Sequence, residues 1–358
     1  MDEEAIATRT RLTRRNLGAL TLAAGAVALA PREGFATSAD VGRQSRGGVP
    51  ITETPSGTTI SGTTQVTLTA SVVQQVILDA QGRQVIAMAW GVNGASPGPT
   101  LVFEEGDDVA ITVVNRLPQP FAMHWHGLVV PNSQDGVPEI GQPTPLIQPG
   151  SQYTYRFRLI QPPGTHMYHS HVDIKSEMLG LTGGLVILPK NPSRYRYDRD
   201  VIFWLHEWKL PQAMMGSALK QRPYTGSPVD TVNSVVAEPD WTAMDFNFFT
   251  MNGKAHPSHE PISLRLGERL RVRFTNIGIN AHPMHFHGQD FLHIAEDGVD
   301  LREPMKLNTI VVAPGKTQDI LIEARNPGVW PLHCHIAHHQ SNNLSSGFGG
   351  MSFIINIT

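Results

Sequence analysis

The sequence predicts an all-β protein with two tandem β-sandwich domains, and three observations support this fold class. Of the 358 residues, 33 are glycine and 27 are proline, while only 16% are charged, a composition that favours many turns. Short runs rich in Val, Ile and Thr recur between the turns and are typical of strands. The order of these runs is repeated once along the chain, which indicates two copies of one domain.

The strand-like runs fall into two sets. The first set comprises residues 65–69, 84–88, 109–114, 153–157 and 184–188. The second set begins at residues 200–204 and ends at residues 352–357. Residues 190–200 are predicted to join the sets, and residues 207–245 to form a long irregular excursion within the second. A chain of 358 residues is long enough for two domains that each bury a core.

Matching motifs recur in the same order in both halves. A charged turn opens a strand that ends at Asn115 in the first half and at Asn276 in the second, and a histidine cluster follows each asparagine. Further on, Pro163-Gly164 and Pro327-Gly328 each precede a second histidine cluster. The sequence therefore predicts that each domain carries two metal-bearing segments at equivalent places.

The beginning of the chain resembles an export signal. Arg14-Arg15 stands just before an apolar stretch at residues 17–30, as in a twin-arginine signal peptide. That stretch is too short to span a bilayer comfortably. We therefore predict a signal peptide at residues 1–39, a flexible linker at 40–58, a first domain at 59–192 and a second domain at 193–358. The protein is expected in the periplasm or outside the cell.

Ten of the sixteen histidines lie in four short clusters. The clusters are His124-Trp125-His126, His169-Ser170-His171, the segment with His282, His285 and His287, and His333-Cys334-His335 with His339. Because residues i and i+2 of a strand point to one face, each His-X-His pair presents two imidazoles to the same side. A single such pair could be an ordinary surface or core feature, but four at matching positions of a repeat indicate metal sites.

The ligand types favour copper. Cys334 is the only cysteine, so no intrachain disulfide is expected, and metal ligation would protect the thiol of an exported protein. Imidazoles suit copper, zinc, iron and nickel, whereas two histidines and a cysteine with a weak methionine ligand are typical of blue copper. A structural zinc site would require several thiolates or a closed tetrahedron. If the neighbours of Cys334 hold further copper ions, electrons can pass between centres through a few covalent bonds.

From about residue 59 to residue 358, the clusters follow the order and spacing of multicopper oxidases, and the chain resembles their two-domain, small-laccase type. The resemblance implies two cupredoxin-like Greek-key β-sandwiches and four copper ions per chain: one type 1, one type 2 and two type 3. It also implies that one-electron oxidation of phenolic or similar donors is coupled to four-electron reduction of dioxygen to water. In two-domain relatives the two kinds of domain meet across a subunit boundary, which implies a homotrimer with a copper cluster at its interfaces.

The resemblance also assigns the ligands. The type 1 copper would bind His282, Cys334 and His339, with Cys334 in the electron path, and the type 2 copper would bind His124 and His285. The two type 3 coppers would bind the other six: His126, His169, His171, His287, His333 and His335.

Further positions refine this assignment. Ser170 stands where the second half has Cys334, so the first domain is predicted to lack a type 1 copper. The axial ligand is predicted at Met351, directly before the last strand, with Leu344 at the family's usual spacing as the alternative. Asp135 resembles the family's acidic residue near the type 2 copper, where it would assist proton delivery, although an ordinary Asp-Gly turn is the alternative.

Partners and function remain open in part. The net charge of −3 gives no reason to expect nucleic acid or an anionic membrane as a partner, so the expected partners are dioxygen and a small reducing molecule. One alternative is a metallo-oxidase that acts on Cu(I) or Mn(II). Another is a non-catalytic copper protein for electron transfer or storage, which would leave most cluster histidines idle. Copper nitrite reductases keep their blue copper in the first domain, so nitrite reduction is less favoured.

Overall fold

The computed structural model describes residues 59–80, 83–191, 193–211, 234–237, 239–342 and 348–358. In this part of the chain nearly all regular structure is β, which confirms the predicted fold class. The predicted signal peptide (1–39), the linker (40–58) and Leu344 lie outside the described residues. Among the described residues, no helix has the length and apolar character needed to cross a bilayer.

The elements follow one another in two series. The first is β1 Thr59–Ser61, β2 Gln65–Ala80, β3 Arg83–Val92, β4 Thr100–Glu104, β5 Asp108–Asn115, β6 Met123–His126, β7 Gln152–Arg158, β8 Gly164–Ser170, α1 Ile174–Met178 and β9 Thr182–Leu188. The second is β10 Arg199–Trp208, β11 Ser234–Ala237, β12 Phe248–Met251, β13 Ile262–Leu264, β14 Arg269–Asn276, β15 His282–Phe286, β16 Phe291–Glu296, β17 Val299–Leu307, β18 Thr309–Val312, β19 Thr317–Glu323, β20 Gly328–Cys334, α2 Ala337–Ser341 and β21 Ser352–Ile357. Two short 3-10 turns, Asn132–Gln134 and Pro138–Ile140, lie between β6 and β7.

The first sandwich packs two five-stranded sheets face to face. Their strand orders are β1-β4-β9-β8-β6 and β11-β3-β2-β5-β7. Alternate residues of β5 are buried, as expected for a strand with one face on a core. The core between the sheets includes Trp125 and Tyr155, whose rings meet edge to face with centroids 5.1 Å apart. The strands β6 and β8 lie side by side at the edge of one sheet and carry His124, His126 and His169, and His171 follows β8 directly.

The second sandwich has a six-stranded sheet, β12-β10-β14-β19-β16-β17, and a five-stranded sheet, β13-β21-β20-β15-β18. One difference from the prediction concerns the excursion at residues 207–245. Its residues 234–237 form β11, which pairs in parallel with β3 at the edge of the first sandwich. This run of four residues is too short to be recognised by periodicity, and its strand conformation depends on a distant partner.

The repeated asparagines make the same contacts in both sandwiches. The Asn115 amide donates to the Gln119 and Ile147 carbonyls at 2.9 and 2.7 Å. The amide of Asn276 likewise donates to two carbonyls, of Asn280 and Val312, at 2.8 and 2.9 Å. These bonds satisfy buried polar groups and fix the loops that lead into the histidine strands β6 and β15.

A buried ion network joins the two sandwiches. The Arg273 guanidinium donates to both carboxylate oxygens of Asp200, at 2.7 and 2.8 Å, and to the hydroxyl of Thr165 on β8, at 2.7 Å. Asp319 accepts from Arg271 at 2.5 Å and from the Thr165 hydroxyl at 2.8 Å. Because Thr165 belongs to the first sandwich and the charged residues to the second, the network fixes the two sandwiches against each other.

Candidate metal centres

The strand β15 points its histidines to two opposite faces. His282, Met284 and Phe286 are buried, whereas the intervening residues are partly exposed. On the neighbouring β20, Cys334 is the partner of Met284, and His333 is the partner of His285. Since cross-strand partners share a face, Cys334 lies on the inner face with His282, and His285 and His333 lie on the outer face. The pleat thus separates two donor sets within one sheet.

The inner donor set, here called the buried group, consists of His282, Cys334 and His339. The Cys334 Sγ lies 3.8 Å from His282 Nδ1 and 3.6 Å from His339 Nδ1, and these two nitrogens lie 3.2 Å apart. The helix α2 places His339 there, and the ring of Phe249 stacks on the imidazole with centroids 3.8 Å apart. Two imidazoles and one thiol therefore converge within the distances that one metal ion could bridge.

The protonation states of this group fit a metal site. Burial raises the pKa of the Cys334 thiol to about 12, and burial lowers the pKa of His339 to about 3. The imidazole is therefore neutral at physiological pH and can act as a ligand, whereas the thiol ionises there only if a cation replaces its proton.

Met351 lies beside the buried group. It is fully buried, its backbone carbonyl accepts from the Cys334 N–H at 3.0 Å, and its backbone N–H donates to the His339 carbonyl at 2.9 Å. Backbone hydrogen bonds thus connect Cys334 and His339 to Met351, the residue predicted as the axial ligand. The alternative, Leu344, lies outside the described residues.

Four histidines of the first sandwich form a second donor set, here called the first tetrad: His124, His126, His169 and His171. Their ring centroids lie 5.2–6.0 Å apart in contacting pairs, and His126 Nδ1 lies 3.3 Å from His169 Nε2. The Nδ1 of His169 donates to the Ser170 carbonyl at 2.9 Å, so its Nε2 is left to face the cluster. Burial lowers the pKa of His169 to about 3 and also lowers those of His124 and His126. These three imidazoles are consequently neutral at physiological pH, as metal ligation requires.

The outer face of β15 and β20 holds the second tetrad: His285, His287, His333 and His335. Contacting rings lie 4.7–5.8 Å apart, and His287 Nε2 lies 2.9 Å from His333 Nε2. The Nδ1 of His285 donates to the Asn308 carbonyl at 2.7 Å, and the Nδ1 of His333 donates to the Cys334 carbonyl at 2.8 Å. Burial lowers the pKa of His333 to about 4. Among these eight described histidines, each ring contact lies within one tetrad.

The first sandwich has no counterpart of the buried group among its described residues. Phe121 stands three residues before His124, as His282 stands three before His285. The Ser170 N–H donates to the Leu181 carbonyl at 3.1 Å, as the Cys334 N–H does to Met351. Phenylalanine, serine and leucine therefore occupy the places of histidine, cysteine and methionine. Ser170 alone signalled this difference in the sequence, and the other two positions required the structure.

Asp135 contacts His124 mainly through its backbone. Its carbonyl accepts from the His124 Nδ1 at 2.7 Å, and its carboxylate Oδ1 lies 3.5 Å from the same nitrogen. The following residue, Gly136, has φ of +86°, and a Cβ there would come within 2.0 Å of the Met123 carbonyl oxygen. The segment is thus a tight Asp-Gly turn that also lies at the first tetrad, and the role of Asp135 in proton delivery stays a prediction.

Two glutamates near the donor sets, one fully buried and one partly buried, were not among the predicted site residues. The Glu207 Oε2 lies 3.3 Å from the Nε2 of His282, and the Glu177 Oε2 lies 3.9 Å from the Nδ1 of His169. Burial raises the pKa of Glu177 to about 7. No local motif marks Glu207, because it is brought to His282 by the parallel pairing of β10 with β14.

Comparisons with known proteins agree with these donor sets. Two family models, both described as multicopper oxidase, match residues 74–192 and 224–349. Copper resistance protein A of Pseudomonas syringae pv. tomato is 31% identical over 279 residues, which cover 70% of this chain and 45% of the relative. Laccase-3 of Arabidopsis thaliana is 31% identical over 251 residues, covering 66% of this chain and 40% of the relative. The chain thus spans less than half the length of these two relatives.

Solved structures give the same result. The blue copper oxidase from Nitrosomonas europaea is 29% identical, with a TM-score of 0.66, and the match covers 82% of this chain and 85% of that chain. A copper nitrite reductase from Nitrosomonas europaea is 22% identical with a TM-score of 0.61, and that likeness shows the fold alone. The sequence matches and the histidine and cysteine donor sets lead to one conclusion: the chain belongs to the multicopper oxidase family.

Proposed function

We propose that the protein is an exported, laccase-like oxidase that couples one-electron oxidation of phenolic or similar donors to four-electron reduction of dioxygen to water. The observation that carries this proposal is the position of Cys334, the last residue of β20, between His333 and His335. The thiol belongs to the buried group, whereas both flanking imidazoles belong to the second tetrad. Residues 333–335 therefore connect the buried group, which suits a one-electron copper, to the histidines of the second tetrad.

Bound copper would supply the redox chemistry, and the chain's residues hold and connect the sites. His282, Cys334, His339 and Met351 would hold type 1 copper, and His124 and His285 would hold type 2 copper. The other six tetrad histidines are assigned to the type 3 pair: His126, His169, His171, His287, His333 and His335. The His333 Nδ1 bond to the Cys334 carbonyl adds a 2.8 Å contact to the covalent path between the two sites. Asp135 is assigned to proton delivery, because its carboxylate lies at the first tetrad.

Oxygen uptake tests the proposal directly. The copper-loaded protein should be blue, should contain four copper ions per chain and should consume about one dioxygen per four electrons taken from a phenolic donor. The Cys334→Ser variant should lose the blue colour and fall to the background rate. Ser170→Ala, at the equivalent place in the first sandwich, should remain blue and active. A blue protein that consumes no oxygen with any donor would contradict the oxidase function.

A metallo-oxidase acting on Cu(I) or Mn(II) is the second candidate, and the identity of 31% to copper resistance protein A favours it. The oxygen-uptake assay distinguishes the two, because Cu(I) or Mn(II) would then replace the phenol as the better electron donor. A non-catalytic electron-transfer or storage protein is a weaker candidate, since it has no use for the eight neighbouring imidazoles of the two tetrads. Export through the twin-arginine route depends on Arg14-Arg15, and it stays a prediction.

Replacement of Met351 by leucine tests the axial ligand. Loss of a weak sulfur donor should raise the reduction potential of the type 1 copper on the order of 60 mV, a tenfold change in the equilibrium of a one-electron couple. The potential is measured by redox titration of the blue absorption. Met251→Leu, a similar change in the same core, serves as the control. An unchanged potential in Met351→Leu would exclude Met351 as a ligand.

We further propose that the first and second tetrads form one copper cluster across the boundary between two copies of the chain. The separation of the tetrads within the chain supports this arrangement. Exposed apolar side chains also lie beside each tetrad: Val129 and Ile140 follow β6, and Val311 lies on β18 next to β15. Two different surfaces that meet head to tail form a ring when the rotation between copies closes, and a homotrimer is the ring that the family resemblance implies.

A further inference from the structure

Glu207 is a fully buried carboxylate of β10 that contacts the buried group through the Nε2 of His282. Its Oε2 lies 3.3 Å from the Nε2 of His282, and both side chains are 0% exposed. Its Oε1 accepts from the backbone N–H groups of Ile279 and Asn280, at 2.5 and 2.7 Å. The two backbone N–H groups and the Nε2 of His282 therefore converge on one carboxylate. Such a set of donors suits the ionised, acceptor-only form.

This contact determines which nitrogen of His282 faces the metal position. The Nδ1 lies among the donor atoms of the buried group, 3.2 Å from the Nδ1 of His339 and 3.8 Å from the Sγ of Cys334. The opposite nitrogen, Nε2, can donate its hydrogen to Glu207. With the proton held at Nε2, the lone pair of Nδ1 is left free for a metal ion.

The loop before β15 provides the space for this carboxylate. A Cβ on Gly278 would come within 2.0 Å of the Glu207 Oε2. The equivalent position of the first sandwich is Leu117, since the N–H groups of Gly278 and Leu117 donate to Asn276 and Asn115 in the same way, at 2.9 and 2.8 Å. The first sandwich, which has Phe121 in place of His282, thus also lacks the glycine that makes room for a carboxylate. The space for the carboxylate beside Gly278 and the ligand histidine His282 therefore both occur in the second sandwich.

We propose that Glu207 is a positioning residue for the type 1 copper, which fixes the Nδ1-binding tautomer of His282 and stabilises the oxidised ion with its buried negative charge. This inference rests on the proposed function, because it requires a copper ion at the buried group. A carboxylate that accepts the second N–H of a ligand histidine makes that ligand more basic. A charge within a water-poor core also acts more strongly than one at the surface. Both effects favour Cu(II) over Cu(I) and therefore lower the reduction potential.

Glu207→Gln in the copper-loaded full chain tests the proposal, because glutamine keeps the shape and the carbonyl acceptor but removes the charge. The Cu(II)/Cu(I) equilibrium should shift about tenfold toward Cu(I), a rise of about 59 mV for a one-electron couple, in redox titration of the blue absorption. Glu207→Asp keeps the charge and should restore most of the wild-type potential. Glu177→Gln removes a partly buried carboxylate beside the first tetrad, and it should leave the type 1 potential unchanged.

The outcomes are distinguishable. A blue Glu207→Gln variant with the wild-type potential would overturn the proposal. If that variant loses its type 1 copper, the proposal requires Glu207→Asp to keep the copper and its blue band. Loss of the copper in both variants would assign Glu207 a purely structural role and would also overturn it. Failure of the proposed function is seen earlier, as wild-type protein that binds no blue copper.

Discussion

Two inactive variants of this chain should regain about one quarter of the wild-type oxygen uptake when they assemble together in equal amounts. In one variant His124 and His126 are replaced by alanine, and in the other His285 and His287 are replaced. Each variant alone lacks one tetrad in every copy and should be inactive. In a random mixture, a boundary that joins an intact first tetrad to an intact second tetrad arises with a probability of about one half times one half.

Co-expression of the two variants with different affinity tags provides the material for this measurement. Double-tag capture shows that mixed assemblies exist, and oxygen uptake with a phenolic donor measures the recovered sites. The variant without His124 and His126 keeps its own buried group, so it should remain blue and supply the electrons. In the matched control, the variant without His124 and His126 is co-expressed with itself under the two different tags. These assemblies should show no recovery of oxygen uptake. Mixed assemblies that stay inactive would exclude a cluster shared between copies.

Replacement of Arg273 by methionine should lower the free energy of unfolding by about 3–5 kcal/mol, because it removes the buried positive charge that pairs with the buried carboxylates of Asp200 and Asp319. Burial alone would lower the pKa of Arg273, but the charges of Asp200 and Asp319 raise it above its usual value. The guanidinium is 1% exposed and Asp200 is 0% exposed. The loss therefore removes a compensated charge from the core and also a contact with Thr165 of the other sandwich.

Urea unfolding of the copper-free protein measures this loss. Arg269→Met is the matched control, since Arg269 lies on the same strand and pairs with Glu323, and the two side chains are 40% and 42% exposed. An exposed pair contributes about 0–1 kcal/mol, so this variant should unfold near the wild-type urea concentration. Equal effects of the two replacements would show that burial of the Arg273 network does not contribute to stability.

The strands and the metal ligands were the features most accessible from sequence. Alternation of buried and exposed residues on β5 is a local signal, and so is the spacing of His124 and His126 on β6. The repeat added a second local signal, because Ser170 could be compared with Cys334 without any structure. The β-strands, which depend on a few residues in a row, were therefore predicted correctly, and the assignment of the histidines to copper stays a prediction.

Several features missed in the sequence depend on pairing between distant parts of the chain. Glu207 reaches His282 across 75 positions of sequence, and β11 becomes a strand only through β3. Neither has a periodic pattern or motif of its own, since the hydrogen bonds that define them come from another part of the chain. Leu181 likewise became the counterpart of Met351 only once the backbone bond of Ser170 was known. Sequence periodicity describes neighbours on a strand, but it carries little information about which strands meet.

The pleat of β20 has a chemical consequence for the proposed enzyme. One residue, Cys334, faces the apolar interior, while the residues on either side of it face the outer surface of the sheet. If the protein is the proposed oxidase, the organic donor and dioxygen would react on opposite sides of a single strand. Radicals formed from the donor would then be kept apart from the site of oxygen reduction, and residues 333–335 would carry electrons between the two sites.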